Sequence, residues 1–342
     1  MKAKQIVFTE INTAKLIERE LPSLAPDGVM VKTAFSTISA GTERANITGD
    51  PNVSATGSRE VPFPRYSGYN SAGEVIAVGS SVTSVKVGDR VVVYWGVHRE
   101  INVVSEKNVV RIEDDAVSFE TGAMSFIATF PMAAIRKTRL EMGESALVMG
   151  LGILGMIAVK LLRAAGAVPV IAVDPNPSRR EMALKNGADY ALDPFAEGFA
   201  DRVKEITGGG VNVAIEVTGV GAGFNQALDC MARFGRVALL GCTRNSDFTV
   251  DYYRKVHGPG ITVIGAHTIA RPDEESHPGW FTHRDDIKAV LKMCAGGRIA
   301  LTDIVSEVHS PADCAEVYER LVFDKSFPVA VQFDWRKIDE KN

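Results

Sequence analysis

Between Ala146 and Asp174 the chain carries residues whose types and spacing suit the binding of a phosphate-bearing cofactor. Gly150, Gly152 and Gly155 form G-x-G-x-x-G directly after the apolar run Ala146–Met149. Gly150 permits a tight turn out of a strand, Gly152 lets the backbone approach a pyrophosphate, and Gly155 lets a helix pack closely on the sheet. The run from Ile153 and Leu154 to Ala165 is apolar apart from Lys160 and Arg163, as expected of a helix lying on a sheet. Its amino end would direct N–H groups at the phosphates. Asp174 closes the next apolar run, nineteen residues after Gly155, where a carboxylate accepts hydrogen bonds from ribose hydroxyls. That charge repels a 2′-phosphate, so NAD is expected in preference to NADP, with Arg179 and Arg180 as the countersignal beside it. Strand, turn, helix and acid together specify a dinucleotide site, which the glycines alone would not.

The remaining cofactor candidates stand at the ends of later apolar runs. Thr218 follows V-A-I-E-V, Gly241 and Cys242 follow A-L-L, and Gly265, Ala266 and His267 end the run from Thr262. In an open parallel sheet, ligands gather at these carboxyl ends. Cys242 is expected to be a small buried residue beside the cofactor, since no activating base accompanies it. His267 is a candidate proton shuttle near the nicotinamide.

The elements that must position these residues have two textures. Up to about Ser118 the chain is strand-rich, with β-like runs at Gln5–Phe8, Lys15–Glu20, Val29–Ser39, Gly73–Val78, Val91–Trp95 and Ile101–Val104. Beyond it, apolar strands at Ala146–Met149, Val168–Val173, Val213–Glu216, Arg236–Leu240 and Thr262–Gly265 alternate with helices, including Arg179–Asn186 and Gly223–Met231. That alternation predicts a doubly wound parallel sheet of the Rossmann type, in an α/β fold with a β-rich companion. Helices at about Arg284–Ala295 and Ser310–Phe323 and a strand at Pro328–Phe333 follow. The polar loops Gly49–Tyr66 and Arg271–His283 carry Arg59, Arg65, His277, Trp280 and His283. Such loops serve as lids, substrate contacts or subunit contacts, and Trp280 is a candidate for a polyhydroxylated substrate.

Composition narrows the partners. A length of 342 residues suggests two domains, and a net charge of −4 without basic runs argues against nucleic acid. Apolar stretches fall short of a membrane span, and the first residues read as a strand rather than a signal peptide. The four cysteines lack C-x-x-C spacing and are expected to be reduced and mostly buried, as in the cytoplasm.

The segment Gly68–Val93, with its Gly-Asp turn at Gly88–Asp89, and the G-L-G-I-L-G turn together resemble the medium-chain dehydrogenase/reductase superfamily. The resemblance spans nearly the whole chain. It implies a GroES-like catalytic domain of residues 1–125 and 271–342 and a Rossmann domain of 126–270. It further implies a small-molecule substrate and a homodimer or dimer of dimers.

Zinc-dependent members carry Cys-Gly-Thr-Asp where this chain has Ala40-Gly41-Thr42-Glu43, and Gly-His-Glu where it has Gly68-Tyr69-Asn70. The four-cysteine structural lobe has no counterpart in Tyr94–Val104. Methyl, phenol and carboxamide groups do not make a zinc site, so no metal is expected. The run Thr37–Arg44 is similar to a zinc-less subgroup that includes bacteriochlorophyllide dehydrogenases and sugar-related oxidoreductases. Without zinc to stabilise an alkoxide, side chains must handle the substrate proton. Thr42 matches the relay hydroxyl of zinc members. Tyr69 either serves as acid or base or fills the vacated volume, and Asn70 can orient the substrate oxygen. Trp95 matches a pocket-lining position, and His98 is expected to be structural or at the surface.

The expected activity is hydride transfer between NAD and a secondary alcohol or ketone of a sugar, cyclitol or polyol. The alternatives are a quinone or enone reductase, a bacteriochlorophyllide-type hydroxyethyl dehydrogenase, and a non-catalytic NAD-binding protein.

Overall fold

The computed structural model describes residues 1–53 and 61–338. Arg59 of the first polar loop lies outside them. The chain folds as two units, one of Met1–Ile127 with Ile287–Asn342 and one of Ala128–Asp286.

The first unit is β-rich. Its leading strands are β1 (Lys2–Glu10), β2 (Thr13–Glu20) and β3 (Gly28–Thr37), followed by helix α1 (Ala40–Ile47). Then come β4 (Arg65–Tyr66), β5 (Asn70–Val78), β6 (Arg90–Tyr94), β7 (Ile101–Ser105), β8 (Val109–Arg111) and α2 (Phe119–Thr138), within which the first boundary falls. β-branched residues dominate the paired strands, and Val29, Val31, Val75, Val91, Val93 and Val109 form a buried cluster.

In the second unit, strands and helices alternate as β9 (Ala146–Met149), α3 (Ile153–Ala164), β10 (Val170–Val173), α4 (Pro177–Lys185), β11 (Tyr190–Leu192), α5 (Phe199–Thr207), β12 (Val211–Glu216), α6 (Gly221–Asp229), β13 (Met231–Leu239) and β14 (Thr262–Gly265). The chain returns to the first unit through α7 (His283–Ala295), β15 (Val305–His309), α8 (Cys314–Phe323) and β16 (Ala330–Asp334).

The six-stranded sheet has the order β11-β10-β9-β12-β13-β14, and every pairing in it is parallel. The strand order therefore reverses at β9, between β10 and β12, which is the switch point where such sheets bind ligands. β9 and β10 are buried throughout, as strands covered on both faces must be. In the first unit, β15-β16-β3-β5-β6-β8 form one sheet, with β7 also on β3, and β2-β1-β4 form another. Phe8 meets Tyr318 edge-on at 4.9 Å, so the first strand and the last helix share one core.

The expected domain boundary put residues 271–286 with the first domain, whereas they group with the second unit. The reason is ionic. Asp286, fully buried, accepts from Arg136 Nε at 2.9 Å and from Arg271 Nη1 at 3.1 Å. Arg271 also donates to the Thr129 carbonyl at 3.0 Å. Elements not anticipated include α1, the short strands β4, β8 and β11, the strand β15 and the mostly polar α5. No helix among the described residues is long and apolar enough to cross a membrane.

Candidate active site

The glycine turn has the geometry its sequence requires. Gly150 sits at φ +99°, in the left-handed region that favours glycine, and its N–H donates to the Val173 carbonyl at 2.8 Å. A Cβ on Gly155 would lie 1.9 Å from the Gly150 carbonyl oxygen, so no side chain fits where α3 meets the turn. A Cβ on Gly152 would meet nothing within 4 Å, so the turn is open on that side. Gly152 is the N-cap of α3 and brings no side-chain cap, which leaves the first amides of Ile153 and Leu154 for an external acceptor. The Ile153 side chain is buried, so only its backbone is available to a ligand. These features fit a dinucleotide pyrophosphate.

Asp174 stands 5 % exposed at the end of β10. Its Oδ2 accepts from Leu151 N at 2.9 Å, its Oδ1 accepts from Asn176 N at 2.9 Å, and Arg179 Nη1 lies 3.8 Å from Oδ2. The carboxylate thus clasps the glycine turn and holds back the guanidinium that would favour a 2′-phosphate. At the next strand end, Glu216 is fully buried, and its Oε1 accepts from the Thr218 amide at 2.7 Å and from the Thr218 hydroxyl. Burial pushes the Glu216 carboxyl up, against the pull of those hydrogen bonds. Gly241 donates to the Glu216 carbonyl at 2.9 Å.

Cys242 departs from expectation, being exposed, because it lies beyond the buried end of β13. Cys230 and Cys314 are buried, and burial pushes each thiol up to about 12. Ala266 is buried and donates to the Leu239 carbonyl at 3.1 Å. Gly265 receives the Lys137 ammonium on its carbonyl at 3.1 Å. His267 is held below the usual imidazole range by burial, with Arg244 and Lys137 adding to the effect. Trp280 belongs to this same unit, with Lys137 over its ring at 4.8 Å.

In the first unit, Thr42, Tyr69, Asn70 and Trp95 come from α1, from the segment before β5, from the start of β5 and from the residue just after β6. Tyr69 packs against Trp95 with ring centroids 5.6 Å apart and against Phe126 at 5.7 Å, and Trp95 meets Phe126 at 5.0 Å. Trp95 is 44 % exposed and takes φ +58°, an unfavourable conformation for a bulky residue that is typical of functional sites. Asn70 is 1 % exposed, and both polar atoms of its carboxamide lack a hydrogen-bond partner. Two unmade hydrogen bonds on a buried amide cost roughly 1–3 kcal/mol each, which a ligand or water would recover.

Sequence reasoning missed the scaffold behind these groups. Glu43, fully buried, accepts from the Ser39 amide at 2.8 Å, pairs with His98 Nε2 at 3.1 Å and accepts from the Tyr318 hydroxyl. His98 Nδ1 bonds Ser36 Oγ at 2.7 Å, which in turn accepts from Trp335 Nε1 at 2.8 Å. His98 is therefore a buried structural residue. The Ser39–Glu43 spacing was the available signal, since a carboxylate four residues on can reach back to a helix-leading amide.

The positions that the family resemblance matches to zinc ligands hold Ala40, Tyr69 and Asn70, whose side chains do not fit that metal's donor set. Among the described residues, no three His, Cys, Asp or Glu side chains converge as ligands.

Residues 25–137 match the alcohol dehydrogenase GroES-like domain, and residues 154–278 match the zinc-binding dehydrogenase family. The chain is 25 % identical to a D-guloside 3-dehydrogenase of Escherichia coli K12, over 93 % of its own length and 96 % of the relative's. It is 30 % identical to an L-threonine 3-dehydrogenase of Pyrococcus horikoshii, over 88 % of this chain and 89 % of that one. A protein described as a short chain alcohol dehydrogenase from Escherichia coli CFT073, solved with NADH, superposes with a TM-score of 0.82 over 98 % of this chain and 99 % of that chain, at 19 % identity. With its β-rich unit, its parallel sheet reversing at the glycine turn and these matches across both, the chain belongs to the medium-chain dehydrogenase/reductase superfamily, in its alcohol dehydrogenase-like division.

Proposed function

We propose that the chain is an NAD(H)-dependent oxidoreductase acting on CH–OH, interconverting a secondary alcohol and a ketone of a sugar, cyclitol or polyol without catalytic zinc. The observation that carries this reading is Asn70, buried and without a hydrogen-bond partner beside Tyr69, at positions that the family resemblance matches to metal ligands. Its carboxamide offers two donors and an acceptor, which neighbouring hydroxyls of a polyhydroxylated substrate would satisfy together. The aromatic wall of Trp95, Tyr69 and Phe126 suits the apolar face of a sugar or cyclitol ring. Relatives named for guloside and threonine 3-dehydrogenation support a secondary hydroxyl as the reacting group.

A nicotinamide, when bound, supplies the hydride acceptor or donor. The protein must then manage one proton. In oxidation Tyr69, as phenolate, would take the substrate hydroxyl proton and become the phenol, while the carbon's hydride would go to the oxidised nicotinamide, leaving the ketone. In reduction Tyr69 returns that proton to the carbonyl oxygen. Asn70 holds the oxygen in line, and the Thr42 hydroxyl serves as a relay rather than a terminal base, its own acidity being too weak. Asp174 supports NAD over NADP by excluding a 2′-phosphate and retaining Arg179.

Turnover of a panel of polyols, cyclitols and enones with NAD(H) and NADP(H) tests the reading. Oxidation of cyclic polyols with NAD is expected. Reduction of enones with NADPH alone would overturn it, and cofactor binding without turnover of any compound would favour a non-catalytic role. The purified protein should also contain no stoichiometric zinc and keep its rate in chelator. One zinc per chain, removed together with activity, would refute the metal-free mechanism.

A further inference from the structure

Ser39 occupies the N-cap of α1, yet its hydroxyl makes no cap to the helix. A serine there normally accepts from an amide of the first turn. Here Ser39 Oγ instead accepts from the Tyr69 phenol at 2.5 Å. The diversion is stable because Ser39 is fixed through its backbone. Its N–H donates to Glu43 Oε1, Glu43 is held by His98 and Tyr318, and His98 is held by Ser36. Ser39 is itself 5 % exposed. Its backbone serves that scaffold, and its hydroxyl is given to the phenol.

We propose, building on the reading of Tyr69 as the acid–base group, that Ser39 is its positioning residue. The Ser39 hydroxyl accepts from Tyr69 when the phenol is protonated and turns to donate to it once the proton has left. A hydroxyl is both donor and acceptor, so the exchange needs only rotation about the C–O bond and no heavy-atom movement. The bond to a phenolate is charge-assisted and the stronger of the two. The amino end of α1, its first-turn amides uncapped by Ser39, adds a positive field from the same side.

The titratable groups on the elements around Tyr69 include Glu43, behind Ser39, His98, whose ring lies against Gly68, Arg44 of α1, which donates to the Leu321 carbonyl, and Tyr94 of β6, which donates to the Lys107 carbonyl. Glu43 alone would oppose a phenolate, but its carboxylate is engaged by His98 and Tyr318. Trp95 and Phe126 bring no charge. With Ser39 in place, Tyr69 is an acid–base group for which no metal is needed.

The test is Ser39→Ala, with Ser39→Thr as the conservative partner, in the full-length protein. Ser39→Ala removes only Oγ and keeps the backbone bond to Glu43. In kcat/KM against pH, its limb for alcohol oxidation should move about one to two pH units upward, which lowers the neutral-pH rate about ten- to a hundredfold. KM for the cofactor should stay unchanged, and Ser39→Thr should restore the limb. A uniform loss with the limb unmoved, or no rescue by threonine, would overturn the assignment.

A readout independent of turnover is the ultraviolet titration of Tyr69, taken as the difference between each protein and its Tyr69→Phe counterpart. Its midpoint should rise in Ser39→Ala. If Tyr69→Phe keeps full activity while that midpoint still rises, Tyr69 is not the acid–base group although Ser39 does control its proton. If the midpoint does not rise, Ser39 has no such role, whatever Tyr69 does.

Discussion

Asp174 does two jobs with one carboxylate. Each oxygen accepts a backbone amide, one from the glycine turn and one from the start of the next loop, while Arg179 is kept close. Asp174→Ala therefore removes both the proposed ribose acceptor and the carboxylate beside Arg179. We expect NAD affinity to fall about tenfold and the preference over NADP to narrow, because a released guanidinium pairs well with a 2′-phosphate. Titration of both dinucleotides into the variant checks this, and unchanged NAD affinity would remove Asp174 from the site. At Tyr69, replacement by Phe keeps the aromatic wall and deletes one oxygen. Its kcat should fall about 10²- to 10⁴-fold, the usual worth of a positioned acid–base group, with NAD affinity intact.

At the scale of elements, the contact of α3 with the glycine turn is the most demanding. A methyl on Gly155 would sit 1.9 Å from the Gly150 carbonyl, against backbone that cannot rotate away. Gly155→Ala should cost about 1–3 kcal/mol in chemical unfolding and displace α3 from the phosphate position, weakening cofactor binding as well. A variant with native stability and native NAD affinity would contradict the geometry. This contact was legible in the sequence because steric need dictates glycine at fixed spacing, whatever surrounds it. The apolar runs of β9, β10 and β12 were legible for a similar reason, since burial on both faces leaves few residue types available. β11 was not, because three residues with an exposed Tyr190 carry no periodicity. The Ser39–Glu43–His98–Tyr318 cluster was invisible as a group. Glu43 and Tyr318 are 275 residues apart, and only the fold, which brings α1 against α8, puts them together. Trp95 and Asn70 were singled out, but the unmade hydrogen bonds of Asn70 could be known only from its burial.

At the scale of the molecule, two half-buried imidazoles are expected to make the second unit acid-sensitive. Burial, with Arg271 nearby, drops His283 to about 3 from its ordinary 6.5, and His267 is lowered in the same direction. Between pH 6.5 and 3 the unfolded chain binds a proton at His283 that the folded chain refuses, so stability falls as the pH falls through that window. The slope from one such group is about 1.4 kcal/mol per pH unit at most. Thermal midpoints measured from about pH 7 to about pH 4 should decline, and His283→Gln should flatten the decline. An unaltered slope would show that the imidazole does not carry the effect.

The first unit is assembled from both ends of the chain, with the second inserted between them. This has a bearing on synthesis at the ribosome, where amino-terminal segments emerge first and domains fold as units. Glu43 is made early, but its partner Tyr318 follows 275 residues later, and Trp335, which anchors Ser36, comes later still. The residues 128–286 are fully translated before either arrives. Until translation nears its end, the Glu43 carboxylate has only its early partners, the Ser39 amide and His98, and lacks the Tyr318 hydroxyl. The order of closure can thus differ from the order of synthesis: residues 128–286 can close first, whereas the cluster around Glu43, begun early in translation, is complete only once Tyr318 and Trp335 have been made.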